Sequence, residues 1–246
     1  MIDTPGALAQ ATLAAAAGAA AASVTGFGLG SLLTPVLALA MPMPSAVTLT
    51  AVPHAVATAL RLWRMRHAVD RGLLRSFGVA SAAGGLLGAW LASRWSAKGL
   101  VVLFGVLLVA SGVSGLTGWT RRVPASRTLS LVGGALSGLF GGLVGNQGGV
   151  RAAALLGARV GRDAFVATAT ASAMLVDIVR LPLYITRAPD LVWTEWPVVA
   201  LTTAGAIVGT LAGVRLLRRI PESRFRAVVS WLVLLVGLVT LGGALR

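Results

Sequence analysis

Thr25-Gly26-Phe27-Gly28-Leu29-Gly30 and Gly145-Asn146-Gln147-Gly148-Gly149 are two glycine-rich breaks, each set inside an otherwise apolar stretch, 7–42 and 128–160. Each break leaves a longer first arm and a second arm of about ten residues. A helix needs roughly 20 apolar residues to cross the hydrocarbon core of a bilayer, so the second arms are too short to span alone. Around them lie longer apolar runs at 44–63, 72–93, 99–119, 163–184, 193–215 and 225–244, each sufficient for a full crossing. The pattern predicts an all-α polytopic membrane protein. Each half consists of a Gly-broken re-entrant helical hairpin plus three transmembrane helices.

The composition points to the same solvent. Of 246 residues, 57% are hydrophobic and 11% charged, and the mean hydropathy is +0.87, whereas soluble domains carry about 25% charged residues. An ordinary soluble globule, a disordered tail and a nucleic-acid-binding domain are excluded. The net charge of +14 reflects scarce acids, 7 Asp and Glu against 21 Lys and Arg. In so apolar a chain it encodes topology rather than nucleic-acid affinity. Cysteine is absent, which removes disulfides, thiol catalysis and cysteine-bound metals. Met1-Ile2-Asp3 carries an acid where a signal peptide needs basic residues, so 7–23 is read as retained structure.

The halves repeat. A shift of 119 places Gly26 on Gly145, Gly30 on Gly149, Val47 on Val166 and Arg61 on Arg180. After a two-residue insertion, Gly84 and Gly88 match Gly205 and Gly209, and Gly213 extends the second run. Small residues at this spacing let helix backbones approach closely in lipid. The expectation is one domain over 1–246, built from repeats at about 7–119 and 128–244.

Charge selects the topology. If each broken stretch crossed the membrane, the Arg-rich loops 61–75 and 215–226 would fall on opposite faces and the positive-inside rule would be unsatisfied. If each returns to the side it entered from, those loops share a face with 119–127 and 159–163. The other face then keeps only Arg94, Lys98, Arg187 and Arg246. The crowded face is therefore assigned to the cytoplasm of a cell (inner) membrane, and both termini are predicted extracytoplasmic. The arginines at 61–75 and 215–226 read as topology signals and lipid-headgroup contacts. An odd number of spans per half makes the repeat inverted. Trp90, Trp95, Trp193, Trp196 and Tyr184 then mark the outer interface, Trp63 and Trp119 the inner one.

Non-helical backbone at membrane depth is tolerated only inside protein or beside a polar cavity. Two tips entering from opposite faces meet near the midplane. The second arm of each hairpin begins there as a helix whose first N–H groups lack intrahelical acceptors and carry the positive end of its dipole. Glycine lets a ligand reach those amides, so the expected ligand is a small anion. The candidate binding residues are Gly26, Gly28, Gly30 and Thr34 in the first half, and Asn146, Gln147, Gly148, Gly149 and Arg151 in the second. Arg151 lies two residues past Gly149 in an apolar arm, where a charge costs about 2.5–3.5 kcal/mol; it is either a countercharge for an anion or a cap on carbonyls of the opposite hairpin. His54 follows Pro53 mid-span and is either a buried neutral ring, a substrate ligand or a proton carrier. Asp177 and Arg180, three apart, suit an intrahelical ion pair. His54 and Asp177 are the candidates for proton coupling. No enzyme signature, cofactor motif or metal-ligand cluster stands out.

Several of these segments resemble the TauE/SafE sulfite-exporter family of membrane transporters. They are Thr25 to Gly30 followed by Pro35, Ala59-Leu60-Arg61 to His67-Ala68-Val69-Asp70, and Gly84/Gly88. The second half adds Gly138 to Gly149, Gly205/Gly209/Gly213 with Arg215, and Pro221-Glu222. The resemblance implies transport of sulfite, organosulfonates or related carboxylates. Asn146-Gln147, Arg151 and Ala154 depart from the family's usual tip. The expected function is a probable exporter of small anions, bound at the midplane between the two hairpin tips and moved by alternating access. An interior negative by about 100 mV favours anion exit by about 2.3 kcal/mol per charge. An anion channel and a non-transporting accessory or scaffold subunit are the alternatives. The partners expected are a small anionic substrate and the lipid bilayer, with no nucleic acid; the Gly runs suit a homodimer as well as packing within one chain.

Overall fold

Helix starts and stops are written locally in the chain. The computed structural model describes residues 4–26, 28–92, 94–118, 126–145, 148, 151, 155, 160–216 and 222–244. Helix α1 (Pro5–Thr25) opens on Thr4, whose hydroxyl accepts the Ala7 N–H, with Pro5 in the first turn where its missing N–H is harmless. The short α2 (Leu29–Ala38) follows the first break, and α3 (Met43–Met65) follows a turn. Asp70 caps the next helix through its carboxylate and the Leu73 N–H, 2.9 Å apart. That helix, α4, begins as Arg71–Leu73, passes through a π turn at Leu74–Gly78 and continues as Val79–Ala92. Helix α5 (Ala97–Thr117) is capped by Ser96, and α6 (Arg127–Val144) by Ser126. Beyond the second break come α7 (Arg162–Arg187), α8 (Pro189–Thr194), α9 (Trp196–Leu216) and α10 (Glu222–Ala244). Among the described residues the fold is entirely helical.

By length and composition, six of these helical segments can cross a membrane: Pro5–Val24, Met43–Ala68, Lys98–Thr117, Arg127–Val144, Asp163–Arg187 and Trp196–Arg215. Four coincide with the full spans expected from sequence. The other two are the first arms of the broken stretches, α1 and α6, each long enough to cross by itself. The expected span at 72–93 is helical, but the π turn divides it. A π turn takes an extra residue and rotates the helix face at that point.

The tightest packing is built on glycine. The backbone of α4 at Gly84 and Gly88 lies against the carbonyls of Ala135 and Leu139 on α6, while Gly138 and Gly142 of α6 lie against Ser81 and Gly85. The Ser81 hydroxyl donates to the Gly134 carbonyl at 3.0 Å across the same seam. On the other side, Gly205, Gly209 and Gly213 of α9 lie against the backbones of Thr12, Ala16 and Ala20 of α1. Lipid tails are as apolar as leucine, so close backbone approach, rather than a hydrophobic drive, holds such helices together. The chain thus pairs crosswise: α4 packs on α6 and α9 on α1, α3 contacts α9 and α7 contacts α4, while α3 meets α7 and α5 meets α10. Exchanging the two halves leaves this set of partners unchanged.

Trp63, Trp90, Trp95, Trp193 and Trp196 are all exposed, and Arg66 and Arg94 stack on Trp63 and Trp90. Tyr184 differs from its expected place as an interface anchor. It is buried, and its hydroxyl donates to the Gly142 carbonyl near the end of α6. Trp119 lies outside the described residues.

Candidate anion site between the two helix breaks

Helices α1 and α6 end in the same way. Gly26 (φ 79°) and Gly145 (φ 73°) adopt the left-handed conformation, and their N–H groups return to the carbonyls of Ala22 and Gly141. Glycine takes this conformation without the steric cost that a Cβ adds. The two stops are 119 residues apart, so the repeat's register holds at the level of backbone geometry. The chain resumes at Gly28, also at positive φ, and α2 starts with its first amides free of intrahelical partners.

The two breaks touch. A Cβ placed on Gly30 would come within 2.5 Å of the Gly145 carbonyl oxygen, and one on Gly145 would meet Val47 and Thr34. Between the breaks is a cavity of about 20 Å³, lined by Gly26, Gly28, Gly30, Gly145 and Gly148. Ser31, His54, Arg61 and Arg151 supply its polar side chains. Space of this size accommodates about one water molecule, so the gap between the breaks is constricted.

The electrostatics are unbalanced. Arg61 and Arg151 are each 3% exposed. Arg61 donates through Nε to the Thr170 hydroxyl at 3.1 Å, and Arg151 through Nη1 to the Ala169 carbonyl at 3.1 Å. Nη1 of Arg61, and Nε and Nη2 of Arg151, have no hydrogen-bond partner among the described residues. Asp177 is the buried acid of the group. Its Oδ1 accepts from Arg180 Nε at 3.0 Å and forms an ion pair with Nη2 at 2.8 Å, and its Oδ2 lies 2.7 Å from His54 Nδ1. Arg180 reaches on to the Gly141 carbonyl, tying the pair to the last turn of α6. Three guanidiniums against one carboxylate leave two formal positive charges with neutral His54. Isolated buried charge is strongly unfavourable, and among the described residues Asp177 is the one carboxylate set against these three guanidiniums.

The structure therefore brings together Gly26, Gly28, Gly30, His54, Gly148 and Arg151. Thr34 is fully buried but set back from the cavity, its hydroxyl donating to that of Thr50 at 3.2 Å. Asp177 lies behind His54, in the ion pair with Arg180 that the i, i+3 spacing suggested. The Thr25 side chain, Asn146, Gln147 and Gly149 lie outside the described residues. The reading of Arg61 as a headgroup contact is corrected: it points inward, onto α7. Two signals could have placed it there. His54, Thr58 and Arg61 recur at i, i+4 and i+7 on one helix face, and the shift of 119 carries Arg61 onto the mid-span Arg180. Asp177 in turn stands where the first half has Thr58, so the repeat supplies one acid for two arginines.

A second, open cavity of about 490 Å³ is lined by Ser23, Val24, Arg64, His67, Asp163 and Val166, with Gly213 and its neighbours completing the wall. Ser23 and Val24 belong to the turn just before Gly26.

Residues 11–240 match the family model described as Sulfite exporter TauE/SafE. The chain belongs to that family. Comparison with curated proteins and with solved structures finds no match. Membership in the sulfite-exporter family makes this a membrane transporter of sulfur-containing anions.

Proposed function

We propose that the protein is an exporter of small sulfur oxyanions, of which sulfite is the leading candidate, that bind between the two helix breaks. The carrying observation is the pair of buried arginines, Arg61 and Arg151, that face one cavity with three nitrogens unpartnered among the described residues. Glycine amides at the start of α2 supply further donors of the kind that bind oxyanions at helix N-termini. The crosswise packing, unchanged by exchange of the halves, supports an internal repeat, and the distribution of arginines supports its inversion with re-entrant second arms. In such a fold, transport proceeds by rocking one half against the other around a central site. The constricted cavity then represents a state between anion entry and release, and the open cavity beside Gly26 is the approach from the Arg-rich face. Export of an anion from a negative interior runs with the field and needs no coupling ion.

The test is efflux from proteoliposomes loaded with sulfite. Wild-type flux should saturate with concentration, and Arg61→Gln and Arg151→Gln should each weaken apparent affinity tenfold or more, while Arg64→Gln should not. Unchanged affinity in both cavity variants overturns the site. Absence of flux in the wild type overturns transport.

A further inference from the structure

We propose that His54 accepts the hydrogen of a protonated oxyanion, so that the species held in the site is an anion carrying one exchangeable proton. The inference rests on the anion-site reading and names the protonation state of its ligand. It follows from the order of hydrogen bonds behind the ring. Asp177 Oδ1 already receives the Nε–H of Arg180 and pairs with its Nη2 at 2.8 Å. A carboxylate so held is an acceptor, so the 2.7 Å contact between its Oδ2 and His54 Nδ1 requires the hydrogen on Nδ1. A carboxylate behind a histidine fixes the tautomer in this way. In the neutral ring, Nε2 is then a lone pair. Nε2 has no hydrogen bond among the described residues, the side chain is 12% exposed, and His54 lines the cavity.

Among the described side chains at the ring, Nε2 is the basic acceptor left, beside the hydroxyls of Ser31 and Thr58. From its own helix come Thr58 and Arg61, from α7 Asp177 and Arg180, from beyond the second break Arg151, and from α2 Ser31. The arginines bring donors only, and Asp177 is spent on Arg180 and Nδ1. An oxyanion bearing one O–H places its charged oxygens toward Arg61 and Arg151 and its hydrogen toward Nε2. A fully deprotonated oxyanion sets a bare oxygen against the Nε2 lone pair. It binds only when the ring takes up a proton from solvent at Nε2, with Nδ1–H retained. The two descriptions hold the same atoms, since hydrogen oxyanion plus imidazole equals dianion plus imidazolium. One proton therefore accompanies each dianion into the site, and it lies between the ligand oxygen and Nε2. Oxyanions that never carry a hydrogen at neutral pH, such as methanesulfonate, lack the matching donor.

The experiment is titration calorimetry of the purified full-length protein with sulfite, in pairs of buffers differing in ionisation enthalpy, across the pH range in which hydrogen sulfite loses its proton. Proton uptake per bound sulfite should rise from near zero at the acid end to about one at the alkaline end, with methanesulfonate bound at least tenfold more weakly than sulfite. His54→Asn, which keeps an N–H toward Asp177 but offers no Nε2, should abolish the uptake and collapse the preference. Proton release at the acid end, or binding at the alkaline end without uptake, overturns this proposal and leaves the anion site standing. Failure of the wild type to bind sulfite overturns the site itself. The proton count is read on the wild type, so the proposal stays testable if His54→Asn fails to fold.

Discussion

Arg151→Met should make the ligand-free protein more stable while removing anion binding. Among the described residues the Arg151 guanidinium makes one hydrogen bond, to the Ala169 carbonyl, with Nε and Nη2 unpartnered. Each buried unsatisfied group costs about 1–3 kcal/mol, and a bond to a charged donor contributes about 1.5–3 kcal/mol. Methionine matches the length of the arginine stem and has no polar hydrogen to satisfy. It also removes one of the two uncompensated positive charges. The balance favours the variant by about 1–3 kcal/mol, at the upper end of what a single substitution away from a functional optimum delivers. The assay is thermal unfolding of the purified protein in anion-free buffer and again with sulfite. The variant should melt higher than wild type without sulfite. Only the wild type should gain stability as sulfite exceeds its dissociation constant. A variant that melts lower in anion-free buffer, or one that keeps the sulfite-induced shift, refutes the reasoning. Arg151 would then be holding the α7 backbone rather than waiting for a ligand.

Asp177→Asn should destabilise by about 3–5 kcal/mol, because removing one partner of a buried ion pair leaves Arg180 and His54 facing each other without a counterion; a melting temperature within a degree of wild type would contradict this. Because the chain has no cysteine, single cysteines can report topology directly. Cysteines replacing Arg71 and Arg219 should both react with a membrane-impermeant maleimide only from the cytoplasmic face, whereas labelling from opposite faces would remove the re-entrant arrangement and the inverted repeat with it.

The all-helical character and most of the candidate spans were legible in the sequence alone. Apolar run length against bilayer thickness gives the spans, and a left-handed stop needs glycine, so Gly26 and Gly145 announced both breaks. The 119-residue register announced that the breaks correspond. Arg151 was legible because a charge in an apolar arm demands an explanation, and Asp177 with Arg180 because their spacing is local. Arg61 was not: at the end of a span and the start of a basic loop, an inward and an outward arginine look alike in one dimension. The turn of α3 decides which way it points, and only the packing of α3 against α7 supplies Thr170 to receive it. The same holds for His54 and Asp177, which sit 123 residues apart on helices whose meeting no local pattern encodes. Helix propensity, caps and hydropathy are properties of neighbours in the chain. The count of charges in one cavity is a property of neighbours in space, and only the packed helices bring Arg61, Arg151, Arg180 and Asp177 into that count.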